Sequence, residues 1–419
     1  MVPLLALAVF IAYIDRGNLA TAAPLVKDEL RLTGTQLGLL LSSFYWTYVP
    51  GQVLAASFAE RWTVYRVLAL GVALWALATA ASGLATGFAA LLVLRLVVGL
   101  AESAAYPCNA KLLARHVPGE KLGSANALIA LGPALGPAVG TYVGGQVMAH
   151  LGWRSTFFVF GLVSALWLVP WRLATRDAPG AERASLEATR EEGDAPSYAA
   201  LLARREMWGT CLGHFCFTYG VYFVIYWLPL YLIKARGFSV VQMATIGGCL
   251  YLVNAGASLL TGFTCDRLMR AGASATAVRR TALIGGCVLM ASSLVVVAYG
   301  NTALAIAGFA GTSVAHGVMA PNVFATGQTL AGPLAGGKWM GVQNSIGNMA
   351  GIVGPIATGY LVDRTGSFVW AFVVASAIAS IGIIGWWVLL RRIAPLEWSA
   401  RRVAIGVHSG SAQHLNPIE

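Results

Sequence analysis

Along the 419-residue chain, apolar runs of membrane-spanning length follow one another with short polar interruptions. A hydrocarbon core about 30 Å thick needs roughly twenty apolar residues in a helix. Runs of that length fall near residues 2–24, 36–58, 65–86, 88–111, 122–148 and 153–173, then near 207–233, 240–263, 279–299, 302–328, 339–361 and 367–390. Polar and apolar residues do not alternate inside them, which excludes the two-residue period of a membrane β-barrel. The pattern predicts an all-α membrane protein with twelve transmembrane helices. The longest polar interruption, "ATRDAPGAERASLEATREEGDAPSYAALLARRE" at 174–206, divides the helices six and six. This predicts an N-terminal six-helix bundle over 1–173, a central cytoplasmic loop over 174–206, a C-terminal six-helix bundle over 207–390 and a cytoplasmic tail over 391–419. A faint repeat agrees: "FAERWTVYR" (58–66) and "TCDRLMRAG" (264–272) each put an acid–Arg pair at the end of the second helix of a half. The first run reads as a spanning helix, not a cleaved signal peptide, because "MVPLLALAV" lacks a basic start and Asp15 and Arg16 interrupt the apolar run.

Composition adds orientation. Charged residues make up only 11% of the chain and hydrophobic ones 58%, whereas a soluble domain is about a quarter charged. The net charge is nevertheless +11. With both termini placed in the cytoplasm, 20 of the 28 Lys and Arg fall on the cytoplasmic side and 6 on the outer side. That bias sets the topology. It also spreads the positive charge over many loops, so no nucleic-acid-binding patch is implied. The 6 cysteines form no CxxC pair, which gives no metal site and no disulfide framework. "GPLAGG" at 332–337 lacks the GK[ST] ending of a phosphate loop, so ATP drive is not indicated and no cofactor is implied.

Four charges remain inside spans: Asp15 and Arg16 on helix 1, Arg95 and Glu102 on helix 4. At the centre of a bilayer each costs roughly 2.5–3.5 kcal/mol on insertion scales, so they belong in the bundle interior, around one solvent-reachable cavity. Arg95 and Glu102, seven residues apart, share a helix face with about 10 Å between them. Asp15 and Arg16 point about 100° apart. One reading is an ion-pair network that only clamps helices 1 and 4, a task that apolar residues often perform as well. The stronger reading is chemical: a guanidinium grips a carboxylate in a planar fork, and a buried carboxylic acid can exchange protons. Among neutral residues, Tyr13, Tyr45, Tyr48, Tyr219, Tyr222 and Tyr226 either line the interior or pack it. Trp75, Trp167 and Trp386 are packing residues or interfacial anchors. His214 and His316 either titrate or sit satisfied in the core. Asn344 and Asn348 share a face of helix 11, where their amides can donate to substrate oxygens or join helices.

Four stretches together resemble the anion:cation symporter family of the major facilitator superfamily: "YIDRGNLATAAP" (13–24), "SSFYWTYVPGQ" (42–52), "LRLVVGLAESAAYP" (94–107) and "VQNSIGNMAGIVGPIATGY" (342–360). Bacterial galactonate, glucarate and hexuronate permeases belong to that family. The resemblance runs from helix 1 to helix 12 and implies two six-helix halves rocking about a central site. It implies protonation at Asp15 and Glu102, with Arg95 in the coupling network. It implies substrate contact at Tyr13, Arg16, Tyr48 and Asn344, with Tyr45, Tyr222, Asn348 and His316 as weaker candidates. The chain also departs from the family pattern. Glu60 stands where the loop motif after helix 2 has Asp, and "LIALGPALG" (128–136) lacks the helix 5 Gln of sugar-acid members.

The function expected is therefore proton-coupled import of small organic anions, of the hexonate or hexuronate type, by a monomer in the bacterial inner membrane. Its partners are a small carboxylate, protons and the lipid bilayer. An exporter or antiporter for short carboxylates or drug-like compounds is the alternative, disfavoured by the paired Arg and acid positions. A membrane enzyme would need a nucleophile or metal cluster at membrane depth, and a sensor would need a signalling domain. The sequence displays neither.

Overall fold

The computed structural model describes residues 1–61, 63–117, 122–176 and 196–398. Its helices are α1 (Val2–Glu29), α2 (Gly34–Arg61), α3 (Val64–Ser82), α4 (Phe88–Glu102), α5 (Ala105–His116), α6 (Leu122–Leu166) and α7 (Leu168–Ala174). The short α8 (Tyr198–Leu202) lies within the expected central loop, and then come α9 (Arg205–Leu230), α10 (Val240–Arg270), α11 (Ala275–Tyr299), α12 (Thr302–Asn348), α13 (Ala350–Thr365) and α14 (Val369–Ile384). Among the described residues, ten helical stretches are long and apolar enough to cross a membrane. One of them, Leu128–Ala174, holds two crossings because the chain turns at Gly152, whose φ of 81° suits glycine. Helix α2 adds another, which brings the crossings to the twelve that the apolar pattern predicts. Gly332, with φ 64°, makes the corresponding turn inside α12.

Large apolar side chains cover the outside of the bundle. Leu84, Leu173 and Phe263 are each at least 70% exposed, a surface suited to lipid rather than water. Trp75, Trp167 and Trp386 are buried, so they pack the interior and do not anchor at the interface. Several helices overrun their apolar runs; α10 continues to Arg270, past the apolar limit near 263. Hydropathy marks where lipid ends, not where backbone hydrogen bonding ends.

Within the N-terminal half, α1 lies along α6, and α2 and α3 lie along α4. Glycines make the first of these contacts close: a Cβ at Gly136 would lie 2.7 Å from the Tyr13 side chain. In the C-terminal half, α12 packs on α9, α10 and α11. The end of the central loop and the chain after α14 both dock at the Gly332 turn. Lys338 Nζ donates to Pro196 O at 3.0 Å, Leu396 N to Leu330 O at 3.0 Å and Trp398 Nε1 to Ala331 O at 2.8 Å. Residues 391–398 are thus fixed to the bundle and do not trail free of it. Residues 177–195 of the expected loop, residues 399–419 of the expected tail and the side chain of Glu60 lie outside the described residues.

The halves meet along α2 with α13, α6 with α10, and α1 with α9. Their tightest contacts cluster at the end expected to face outward. The Asp363 carboxylate accepts from Gly34 N at 2.7 Å, Thr35 N at 2.7 Å and Thr35 Oγ1 at 2.6 Å, capping the start of α2 from the opposite half. A Cβ at Gly38 would lie 2.3 Å from Pro355 O, so only glycine permits that approach. Lys234 and Asp28 form an ion pair beside these contacts.

Candidate substrate and proton site

Arg16 leaves α1 toward α4, and its Nε donates to Glu102 Oε2 at 2.9 Å. Three rings surround the guanidinium: Tyr13 and Tyr48 with centroids at 4.6 Å, and Phe44 at 5.2 Å. Each such contact is worth roughly 0.5–2 kcal/mol, most when water is excluded. The Glu102 side chain is 0% exposed and that of Arg16 13%. A pair this buried persists only with good geometry, because desolvation opposes it. The pair is also incompletely used: Arg16 Nη2 and Glu102 Oε1 have no partner among the described residues. The guanidinium therefore keeps donor capacity for a second acceptor.

The position of Glu102 follows from local sequence. It closes α4, and the chain resumes as α5 after Ser103 and Ala104. Pro107 explains the break, because it has no N–H for the Ser103 carbonyl four residues back and its ring crowds that oxygen. The acid is thereby held at a discontinuity in the middle of a membrane crossing.

Asp15 turns the other way, toward the second crossing of α6. Asn18 Nδ2 donates to Oδ1 at 3.0 Å and Ser164 Oγ to Oδ2 at 2.9 Å. Both partners are neutral, while the charges of Glu102 and Arg95 act on Asp15 from α4. Arg95 is also buried, with its guanidinium 5.4 Å from the Phe44 ring and its Nε and Nη2 without a partner among the described residues.

The C-terminal half faces this charged interior with neutral groups. Tyr222 OH donates to Asn348 Oδ1 at 2.6 Å, and Asn348 Nδ2 donates to Asn344 O at 2.9 Å. Tyr226 OH donates to Tyr45 OH at 3.1 Å, and the Tyr45 and Tyr222 rings lie 4.8 Å apart. Tyr45 of α2 thus touches α9 across the boundary between halves. On the other flank, Tyr106 OH donates to Tyr13 OH at 3.1 Å.

Ten of the eleven residues named from sequence fall in this region; His316 does not join its hydrogen bonds. It is buried on α12 with the Phe217 ring edge-on at 6.0 Å and no partner for Nε2 among the described residues. The expectation of one solvent-reachable ring of four charges needs correction. Asp15, Arg95 and Glu102 are each at most 3% exposed, and Asp15 is turned into α6. Arg16 is the least buried of the four, with its side chain 13% exposed. Sequence reasoning missed Asn18 and Ser164. The spacing of three from Asp15 could have flagged Asn18 as a same-face partner. Ser164 carries no local signal, being 149 positions from the acid it contacts.

Comparison with known proteins bears on what such an interior serves. The model of the Major Facilitator Superfamily matches residues 5–336. The chain belongs to this superfamily. It is 30% identical over 389 residues to a "Probable sulfoacetate transporter" of Cupriavidus necator, covering 90% of each chain. It is 30% identical over 410 residues to a "Probable galactarate/D-glucarate transporter" of Bacillus subtilis, covering 90% of this chain and 89% of that one. A crystal structure of a bacterial homolog of the human lysosomal transporter Spinster shares the fold, with a TM-score of 0.79, 18% identity, and coverage of 93% and 96%. This superfamily member is therefore a multi-pass membrane transporter, not an enzyme. The assignment agrees with the resemblance carried by its helix 1, 2, 4 and 11 motifs.

Proposed function

We propose that this transporter is a proton-coupled symporter that imports small organic anions of the sugar-acid type by alternating access. The observation that carries the reading is the Arg16–Glu102 pair, buried in the interior of the N-terminal half with one guanidinium nitrogen unpartnered among the described residues. An arriving carboxylate or sulfonate can take up that donor in a two-pronged contact. Tyr48 and Tyr13 bracket the guanidinium, and the reading assigns Asn344 of the opposite half as the donor for substrate hydroxyls. Protons arriving from outside neutralise Asp15 or Glu102, and Arg95 holds the local field positive. Loading of both ligands weakens the closure at one end, and the halves rock to expose the site at the other. The Asp363 cap on α2 supports this reading, since it is a contact between halves that outward opening must break. The membrane potential assists when more protons than substrate charges enter. The reading sets the protein in the bacterial inner membrane with both termini in the cytoplasm.

The test is uptake into proteoliposomes under an inward proton gradient, over glucarate, galactarate, galactonate, hexuronates and sulfoacetate. Accumulation of one or more that collapses with a protonophore supports symport. Accumulation that is indifferent to the gradient, or driven by an opposing anion, contradicts it.

A further inference from the structure

Two acids lie in the interior, and their partners differ in kind. Glu102 faces a guanidinium, which favours only the ionised carboxylate. Asp15 faces an amide and a hydroxyl, and these can serve a carboxylate in either protonation state. With Asp15 ionised, Asn18 Nδ2 and Ser164 Oγ both donate to it, as observed. With Asp15 protonated, its O–H needs an acceptor. Asn18 Oδ1 is buried and has no partner among the described residues, and a rotation of the amide brings it to the acid. The Ser164 hydroxyl is a rotor that donates to the remaining oxygen or accepts from the acid. Neither state leaves the carboxyl unpaired in the interior, where a missing partner is costly. The site is fixed as well as adaptable: Asp15 is 2% exposed, Asn18 2% and Ser164 0%.

We propose that Ser164 and Asn18 are positioning residues that allow Asp15 to take up and release a proton in place. The inference rests on the symport reading for its use in transport, but the proton exchange itself can be measured separately. The charged groups acting on Asp15 are Glu102 and Arg95 on α4, while its chain neighbour Arg16 is directed to Glu102; α6 contributes the neutral hydroxyl of Ser164. A donor held against a carboxylate stabilises its ionised form more than its acid form. Removing one donor therefore raises the pH at which Asp15 protonates.

The experiment is infrared titration of the full-length protein in lipid, following the carboxylic C=O band assigned to Asp15 by its loss in Asp15→Asn. Ser164→Ala and Asn18→Ala should each move the midpoint upward by roughly half to one pH unit. Ser164→Thr, which keeps the hydroxyl, should stay near the wild-type midpoint. A wild-type midpoint retained in both alanine variants would overturn the proposal, as would a band indifferent to Asp15→Asn. Should the shifts appear while a proton gradient fails to drive uptake, the symport reading falls and the role of Ser164 and Asn18 stands.

Discussion

The N-terminal half brings four ionisable side chains, Asp15, Arg16, Arg95 and Glu102, into its interior, whereas the C-terminal half brings neutral groups there, the hydroxyls of Tyr222 and Tyr226 and the amide of Asn348. The hydrogen bonds of the charged set stay within one half: Arg16 to Glu102, and Asn18 and Ser164 to Asp15. The contacts that cross between halves near the centre are neutral, as with Tyr226 and Tyr45. A rocking motion between halves can thus proceed without separating a buried ion pair, which would cost several kcal/mol. Under the proposed symport, the two halves would divide the labour, with charge and proton chemistry in one and hydroxyl recognition in the other.

Substitutions can break this division, beginning with the charged side. Arg16→Lys should weaken anion binding by roughly tenfold to a hundredfold, because an ammonium cannot reproduce the fork and the ring stacking together. Substrate-induced thermal stabilisation of the purified protein measures this, and unchanged affinity would leave Arg16 a structural role only. On the neutral side, Asn344→Ala should cost about fivefold, the scale of one neutral hydrogen bond. The loss should be largest for polyhydroxylated acids. Competition assays across several anions decide this: an equal loss for all of them, accompanied by poor folding, would instead make Asn344 a helix-packing residue. The smallest effect belongs to His316, which stands outside the network. His316→Gln should leave the pH dependence of uptake in place, and a displaced pH profile would bring this histidine into the coupling chemistry.

Much of this division was legible in the sequence because insertion cost singles out charges inside apolar runs. Asp15, Arg16, Arg95 and Glu102 declare themselves by being expensive in lipid. The neutral wall was less legible: tyrosines and asparagines are ordinary in spans, and only the shared face of Asn344 and Asn348 distinguishes them. The pairing was not legible at all. Helical rotation separates Asp15 from Arg16, yet nothing local says that Arg16 meets Glu102 or that Asp15 meets Ser164. Those choices depend on how α1, α4 and α6 are rotated against one another. The outer closure was hidden for a similar reason, since Asp363 at the end of one crossing and Gly34 at the start of another are 329 positions apart.

The most direct test of coupling through the buried acids compares wild type, Asp15→Asn and Glu102→Gln in proteoliposomes at equal protein incorporation, recording both proton-driven accumulation and substrate counterflow. Each neutral variant keeps shape and polarity but cannot cycle a proton. Both should lose concentrative uptake, while Glu102→Gln retains counterflow. Concentrative uptake by both variants, with the wild-type dependence on the proton gradient, would contradict this coupling and reduce the buried charges to a purely structural network.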